Sequence, residues 1–229
     1  MRRRNFLANS LLAAGLTYTG EGISRAGAAL PQGTETTDEK AHLQSAHLSL
    51  EYNLSRGQAS VYRAQGKPLI LNATAAAVFP RGMALASDGN YARRGRTAPS
   101  KTAELEGDEL IVTCTDSTGK LDMQSHIALL RNEPGTIFEV VLTNVSAQEI
   151  LVRHAKPLRA LLGENAGCLF SPRKILTNGY MHHAPGLLLD VSHEFVSSWN
   201  AAFYDPGSQS TLVLGFLDNL QGEGQVAVS

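Results

Sequence analysis

The residues of this chain best suited to chemistry lie between Lys174 and Leu217, where His182-His183, Asp190, His193-Glu194 and the only tryptophan, Trp199, are collected. Histidine and carboxylate are the donor types of zinc sites, but the ligands of an ion must converge on one point. Adjacent residues of a strand point to opposite faces, so neither His182 with His183 nor His193 with Glu194 can ligate as a pair without an unusual turn. HExxH spacing is absent. No metal and no cofactor is assigned, and a metal-assisted enzyme built on these histidines is disfavoured. Nucleophilic chemistry has no Gly-x-Ser-x-Gly elbow to use. Asp190, Glu194, Asp205 and Asp218 could supply the paired carboxylates of a glycosidase only on the ground that they are close in the chain.

Three further groups invite a functional reading, each with a plainer one beside it. Phe195, Trp199 and Phe203 share one face of a strand if the segment is extended. Such a row packs a sandwich core, or at a domain edge stacks on a sugar ring. Residues 80–101 carry Arg81, Arg93, Arg94, Arg96 and Lys101 among glycines, with no period. They read as a functional loop able to clamp a phosphate or carboxylate, or as a solvated surface loop. Cys114 and Cys168 are far apart in sequence, each in an apolar run. Either they pair in an oxidising compartment or they stay buried as free thiols.

The elements that must position these groups are strands. From His47 the hydrophobic period is two, with Leu48, Leu50, Tyr52 and Leu54 on one face. Arg56-Gly57 and Gln65-Gly66-Lys67 turn the chain into Ala59–Arg63 and then Pro68–Phe79. Turns are expected at Gly107-Asp108, Ser117–Lys120, Asn132–Gly135 and Asn144–Gln148, with strands Glu109–Cys114, Asp122–Leu130, Thr136–Thr143 and Glu149–His154 between them. Only Pro157–Gly163 has helical spacing. The strand from Trp199 should turn at Asp205-Pro206-Gly207 and return as Thr211–Leu217. Short strands and frequent turns imply an all-β antiparallel sandwich, with no internal repeat and no second domain boundary.

The series Ile175-Leu-Thr-Asn178-Gly179-Tyr180, Ser198-Trp199, Tyr204-Asp205-Pro206 and Leu214-Gly215-Phe216-Leu217 resembles the amino-terminal β-supersandwich domain of glycoside hydrolase family 36, the α-galactosidase group. The run Phe138–Asn144, with Leu151 to Leu158 after it, is similar to that domain's preceding hairpin. The likeness covers residues 45–220 and is most specific at the C-terminal end. After Tyr180 the chain has Met181-His182-His183-Ala184 where the family has Gln-Ser-Trp-Ser. The family's catalytic carboxylates belong to a (β/α)₈ barrel after the sandwich, so no catalytic residue carries over. The resemblance implies a galactose-mutarotase-like β-supersandwich that packs on a barrel and lends Asn178, Tyr180 and Trp199 to the rim of a galactoside-type sugar site.

Arg2-Arg3-Arg4-Asn5-Phe6-Leu7, opening onto Leu11–Tyr18, is a twin-arginine pattern, and Ala26-Gly27-Ala28 suits a signal peptidase. The apolar run is shorter than the roughly 20 residues of a membrane span. Residues 1–28 are therefore expected to be a signal peptide, 29–44 a flexible linker, and 45–229 the β-supersandwich domain, truncated at its C-terminal end. The expected location is periplasmic or secreted. Removing residues 1–28 leaves 16 basic and 20 acidic residues, net −4, which offers no electrostatic reason to bind nucleic acid or an anionic membrane. The functional expectation is an exported accessory domain that does not hydrolyse by itself. Its partner is the missing barrel or, failing that, a second copy covering the apolar face. A free-standing periplasmic carbohydrate-binding or structural module is the alternative.

Overall fold

Leu48, Leu50 and Tyr52 alternate with Ser49, Glu51 and Asn53, and in the structure the first set is buried while the second is half-exposed. The same logic builds most of the chain. The computed structural model describes residues 5–7, 11–13, 34–36, 39–66, 68–80, 84–102, 105–115, 117–160, 173–178, 186–190, 195–207, 209–216 and 225–228. Among them every strand pairing is antiparallel, so the protein is all-β. No helix among the described residues is long and apolar enough to cross a membrane.

Three short strands come first, β1 (Asn5–Leu7), β2 (Leu11–Ala13) and β3 (Thr34–Thr36). A meander follows: β4 (Lys40–Gln44), β5 (Leu48–Asn53), β6 (Gln58–Arg63) and β7 (Pro68–Val78), with β8 (Ala84–Ala86) against β7. Next are β9 (Arg93–Thr102), β10 (Leu105–Thr115), β11 (Leu121–Leu130), β12 (Thr136–Asn144) and β13 (His154–Arg159). The C-terminal part holds β14 (Lys174–Thr177), β15 (Leu188–Asp190), β16 (Phe195–Ser198), β17 (Asn200–Asp205), β18 (Ser210–Phe216) and β19 (Gln225–Val228). One sheet runs β13-β7-β6-β5-β4. The larger runs β15-β14-β17-β18-β2-β12-β11-β10-β9-β3, with β1 beside β12; β16 and β19 form a separate pair. Leu50, Val61 and Ile70 of the first sheet meet Leu110, Ile127, Leu129 and Phe138 of the second in one core.

Several expectations need correction. Lys40–Gln44, assigned to the linker, is a strand, because Ala41 and Leu43 alternate into the core opposite β5. Gly107-Asp108 is not a turn but the inside of β10. Gly107 sits where a Cβ would run into the Leu129 carbonyl oxygen, so the glycine marks a close approach of neighbouring strands. The reversal from β9 to β10 comes earlier, after Thr102. Residues 93–102 of the arginine-rich stretch are strand, paired along β10 from Cys114 to Leu105. The strand placed at 149–154 starts only at His154, and it continues to Arg159 through the segment given helical spacing. There Lys156 and Arg159 pair with Ala76 and Thr74 of β7, with a register shift between them. Sheet pairing outweighs a weak local period of three or four. Asn5–Leu7 and Leu11–Ala13 pair with β12, and Leu11–Ala13 also with β18.

Candidate functional site

Trp199 falls between strands. It has φ of +70°, a left-handed conformation that bulky residues rarely adopt, and it separates β16 from β17. Phe195 and Phe203 therefore belong to different sheets, and the expected aromatic row does not exist: β16 pairs with β19, whereas β17 pairs with β14 and β18. Phe203 is buried with Ile175, Ala201 and Val226, while Trp199 is half-buried. The kink is held by polar contacts. The fully buried Ser197 hydroxyl accepts from Asn178 N–H at 2.7 Å and donates to the Asn200 carbonyl. Asn178 O accepts from Ser198 N–H at 3.3 Å, and Trp199 O accepts from Phe216 N–H at 2.9 Å. Thr177 closes the adjoining loop, its hydroxyl accepting from Leu187 N–H at 3.1 Å.

Of the three residues nominated for a sugar site, the exposed Asn178 and the half-buried Trp199 are thus brought to one junction. Tyr180 lies outside the described residues, as do His182, His183, His193, Glu194, Asp218 and Cys168. Asp190 is exposed and holds Lys174 across β14 and β15 at 2.7 Å. Cys114 is a buried free thiol, and burial pushes its pKa up to about 11.

The basic stretch is partly used up inside the protein. The Arg93 guanidinium donates to the carbonyls of Ser87 (2.6 Å), Ser55 (3.0 Å), Leu54 (3.2 Å) and Gly89. Ser87 Oγ in turn donates to Gly57 O at 2.7 Å and accepts from Ala75 N–H at 3.0 Å. Gly57 needs both its positive φ and its lack of a side chain there, since a Cβ would meet Ser87 O. Arg93 is a clasp between two loops, not a free anion clamp. A separate groove of about 500 Å³ combines His47, Arg63 and Gln65 with Leu48, Ile70 and Leu212.

One cluster escapes sequence reasoning. Glu109, His126 and Glu139 come from the adjacent strands β10, β11 and β12, and one donor atom from each lies within 4.8 Å of the others. His126 Nδ1 stands 2.9 Å from Glu109 Oε1, and Nε2 stands 3.3 Å from Gln124 Oε1. Glu109 and His126 are buried and Glu139 half-buried. No short motif links positions 109, 126 and 139. The available signal is weaker: Glu109 and His126 each stand at the edge of an apolar run, before Leu-Ile-Val and Ile-Ala-Leu-Leu, and only Glu139 is an isolated polar residue, within Ile-Phe-Glu-Val-Val-Leu.

No family model, curated protein or solved structure matches the chain. The class defined by the fold is an all-β protein of several antiparallel sheets.

Proposed function

We propose that this chain is a carbohydrate-binding β-supersandwich, the exported accessory domain of an α-galactosidase-like hydrolase, which contributes to the rim of a galactoside site and does not cleave alone. The observation that carries the reading is the junction at Asn178 and Trp199. A left-handed non-glycine residue costs of order 1–3 kcal/mol and persists where its surroundings over-determine it. Here the surroundings are the Ser197 hydrogen bonds, and the kink they hold carries the half-buried Trp199 next to Ser198, whose N–H is bonded to the backbone of the exposed Asn178. An aromatic face next to amide donors and acceptors is suited to a pyranose ring, whose C–H face stacks while its hydroxyls hydrogen-bond. The sequence resemblance to family 36 supplies the sugar class and the export signal supplies the compartment.

A second feature favours an accessory domain over a free-standing module. Leu188, Leu176, Ala202 and Val213 face one another across four neighbouring strands, and Leu176 and Leu188 are more than half exposed. An apolar row of this kind suits a partner domain.

Because Trp199 is the only tryptophan, its fluorescence reports on the junction directly. Titration with galactose and α-galactosides should change its emission with a Kd in the millimolar range or tighter. Asn178→Ala should weaken that response, and Trp199→Ala should abolish binding measured by calorimetry. Arg63→Ala, in the separate groove, should leave it unchanged. Silence of Trp199 at saturating sugar sinks the binding site, and turnover of an α-galactoside by the purified chain sinks its non-catalytic role.

A further inference from the structure

We propose that Glu109, His126 and Glu139 form a binding site for one divalent transition-metal ion of the zinc or manganese type. The three residues occupy neighbouring strands of the larger sheet, on the face opposite Leu110, Ile127 and Phe138, which fill the shared core. His126 is directly opposite Glu139, and Glu109 reaches it diagonally from two residues beyond Ile111. Sheet registry, not loop conformation, sets their convergence.

Charge is compatible with an ion site and with a plain ionic network, and ion uptake tells them apart. Two carboxylates within 4.8 Å of each other in a mostly buried setting repel and lose hydration. One imidazole, even protonated, carries a single positive charge, so a second cation, whether a bound ion or an arginine, completes the balance. A divalent ion bound by two carboxylates and a neutral imidazole leaves no net charge. The donor set of one nitrogen and two oxygens suits zinc or manganese, and three protein ligands leave a position for water or substrate. Ligand distances near 2.1 Å require the donors to close by roughly 1 Å, within reach of glutamate side-chain rotation. The outer contacts fit as well. With Nδ1 on the ion, Nε2–H donates to Gln124 Oε1, the kind of bond that fixes a ligating histidine's tautomer. Arg96, opposite Ile111 on β9, is the cation that would serve a purely ionic network; that network takes up no ion.

The test uses the full chain, stripped with a chelator and titrated with Zn²⁺ and Mn²⁺ separately by calorimetry, with bound metal measured after dialysis. One ion per chain is expected for at least one of the two. Glu139→Gln, conservative in shape and half-exposed, should weaken uptake at least tenfold, and Gln124→Leu by about tenfold. His126→Ala should abolish it. Should that variant fail to fold, Co²⁺ added to the wild-type chain keeps the test open: visible absorption bands that Glu139→Gln removes support the site. No stoichiometric uptake of either ion overturns the proposal. So does uptake unchanged in Glu139→Gln, which would assign the ion to other histidines of the chain.

Discussion

Burial sets the behaviour of Cys114. Its thiol packs among Ala77, Leu85 and Met123, away from solvent, and this holds its pKa above the ordinary value, at about 11. The folded state therefore keeps the proton longer than the unfolded chain does. Its stabilising contribution is complete below about pH 9 and is lost as pH rises towards about 11. The melting temperature should fall through that window, and Cys114→Ala should flatten the fall while lowering stability throughout. Burial of Tyr52 acts in the same direction. In a Cys168→Ala background, a thiol reagent at pH 8 should modify Cys114 only as fast as the protein unfolds; rapid modification of that native variant would contradict the burial. Trp199 is the opposite case. Its identity is plain in the sequence, but its left-handed backbone depends on Ser197 reaching both Asn178 and Asn200, contacts that join β14 to the β16–β17 break.

Among the elements, the β8–β9 connection shows how a local reading goes astray. Its arginines and glycines have no period, yet Arg93 sits at the start of a ten-residue strand and spends its guanidinium on carbonyls of Leu54, Ser55, Ser87 and Gly89. Several charge-assisted bonds from one side chain are worth more than a surface ion pair. Arg93→Ala should cost about 1–3 kcal/mol in urea unfolding, because several partly buried carbonyls lose their donor together. Arg93→Lys should restore little of it, since an ammonium lacks the planar fork. Arg94, exposed on the same strand, is the control, and its loss should stay within about 0.5 kcal/mol. The exposed ion pairs Lys40–Glu51 and Lys174–Asp190 are likewise expected to contribute little.

At the scale of the whole molecule, the apolar row of Leu188, Leu176, Ala202 and Val213 faces outward with the Lys174–Asp190 pair and Tyr204 beside it. In the absence of a partner domain, the isolated chain should associate reversibly through this row. Sedimentation velocity should show a concentration-dependent increase in mass that the double variant Leu176→Lys, Leu188→Lys removes. Association that survives both substitutions would place the contact elsewhere.

The periodicity of two, the turns at Asn132–Gly135 and Asp205–Gly207 and the hairpin of β17 with β18 were all legible in the sequence, because alternation and turn chemistry are local. The amino acids alone thus determined an all-β, antiparallel protein. Tertiary structure decided what strand registry brings together. It set Glu109, His126 and Glu139 side by side from positions 109, 126 and 139, and it placed Gly107 inside a strand against Leu129. It also carried the chain through Pro157–Arg159 as strand. It split Phe195 from Phe203 at Trp199, since a left-handed kink moves one residue's neighbours into different sheets. A local pattern records which face a side chain takes, and only pairing across the sheet records what it meets there.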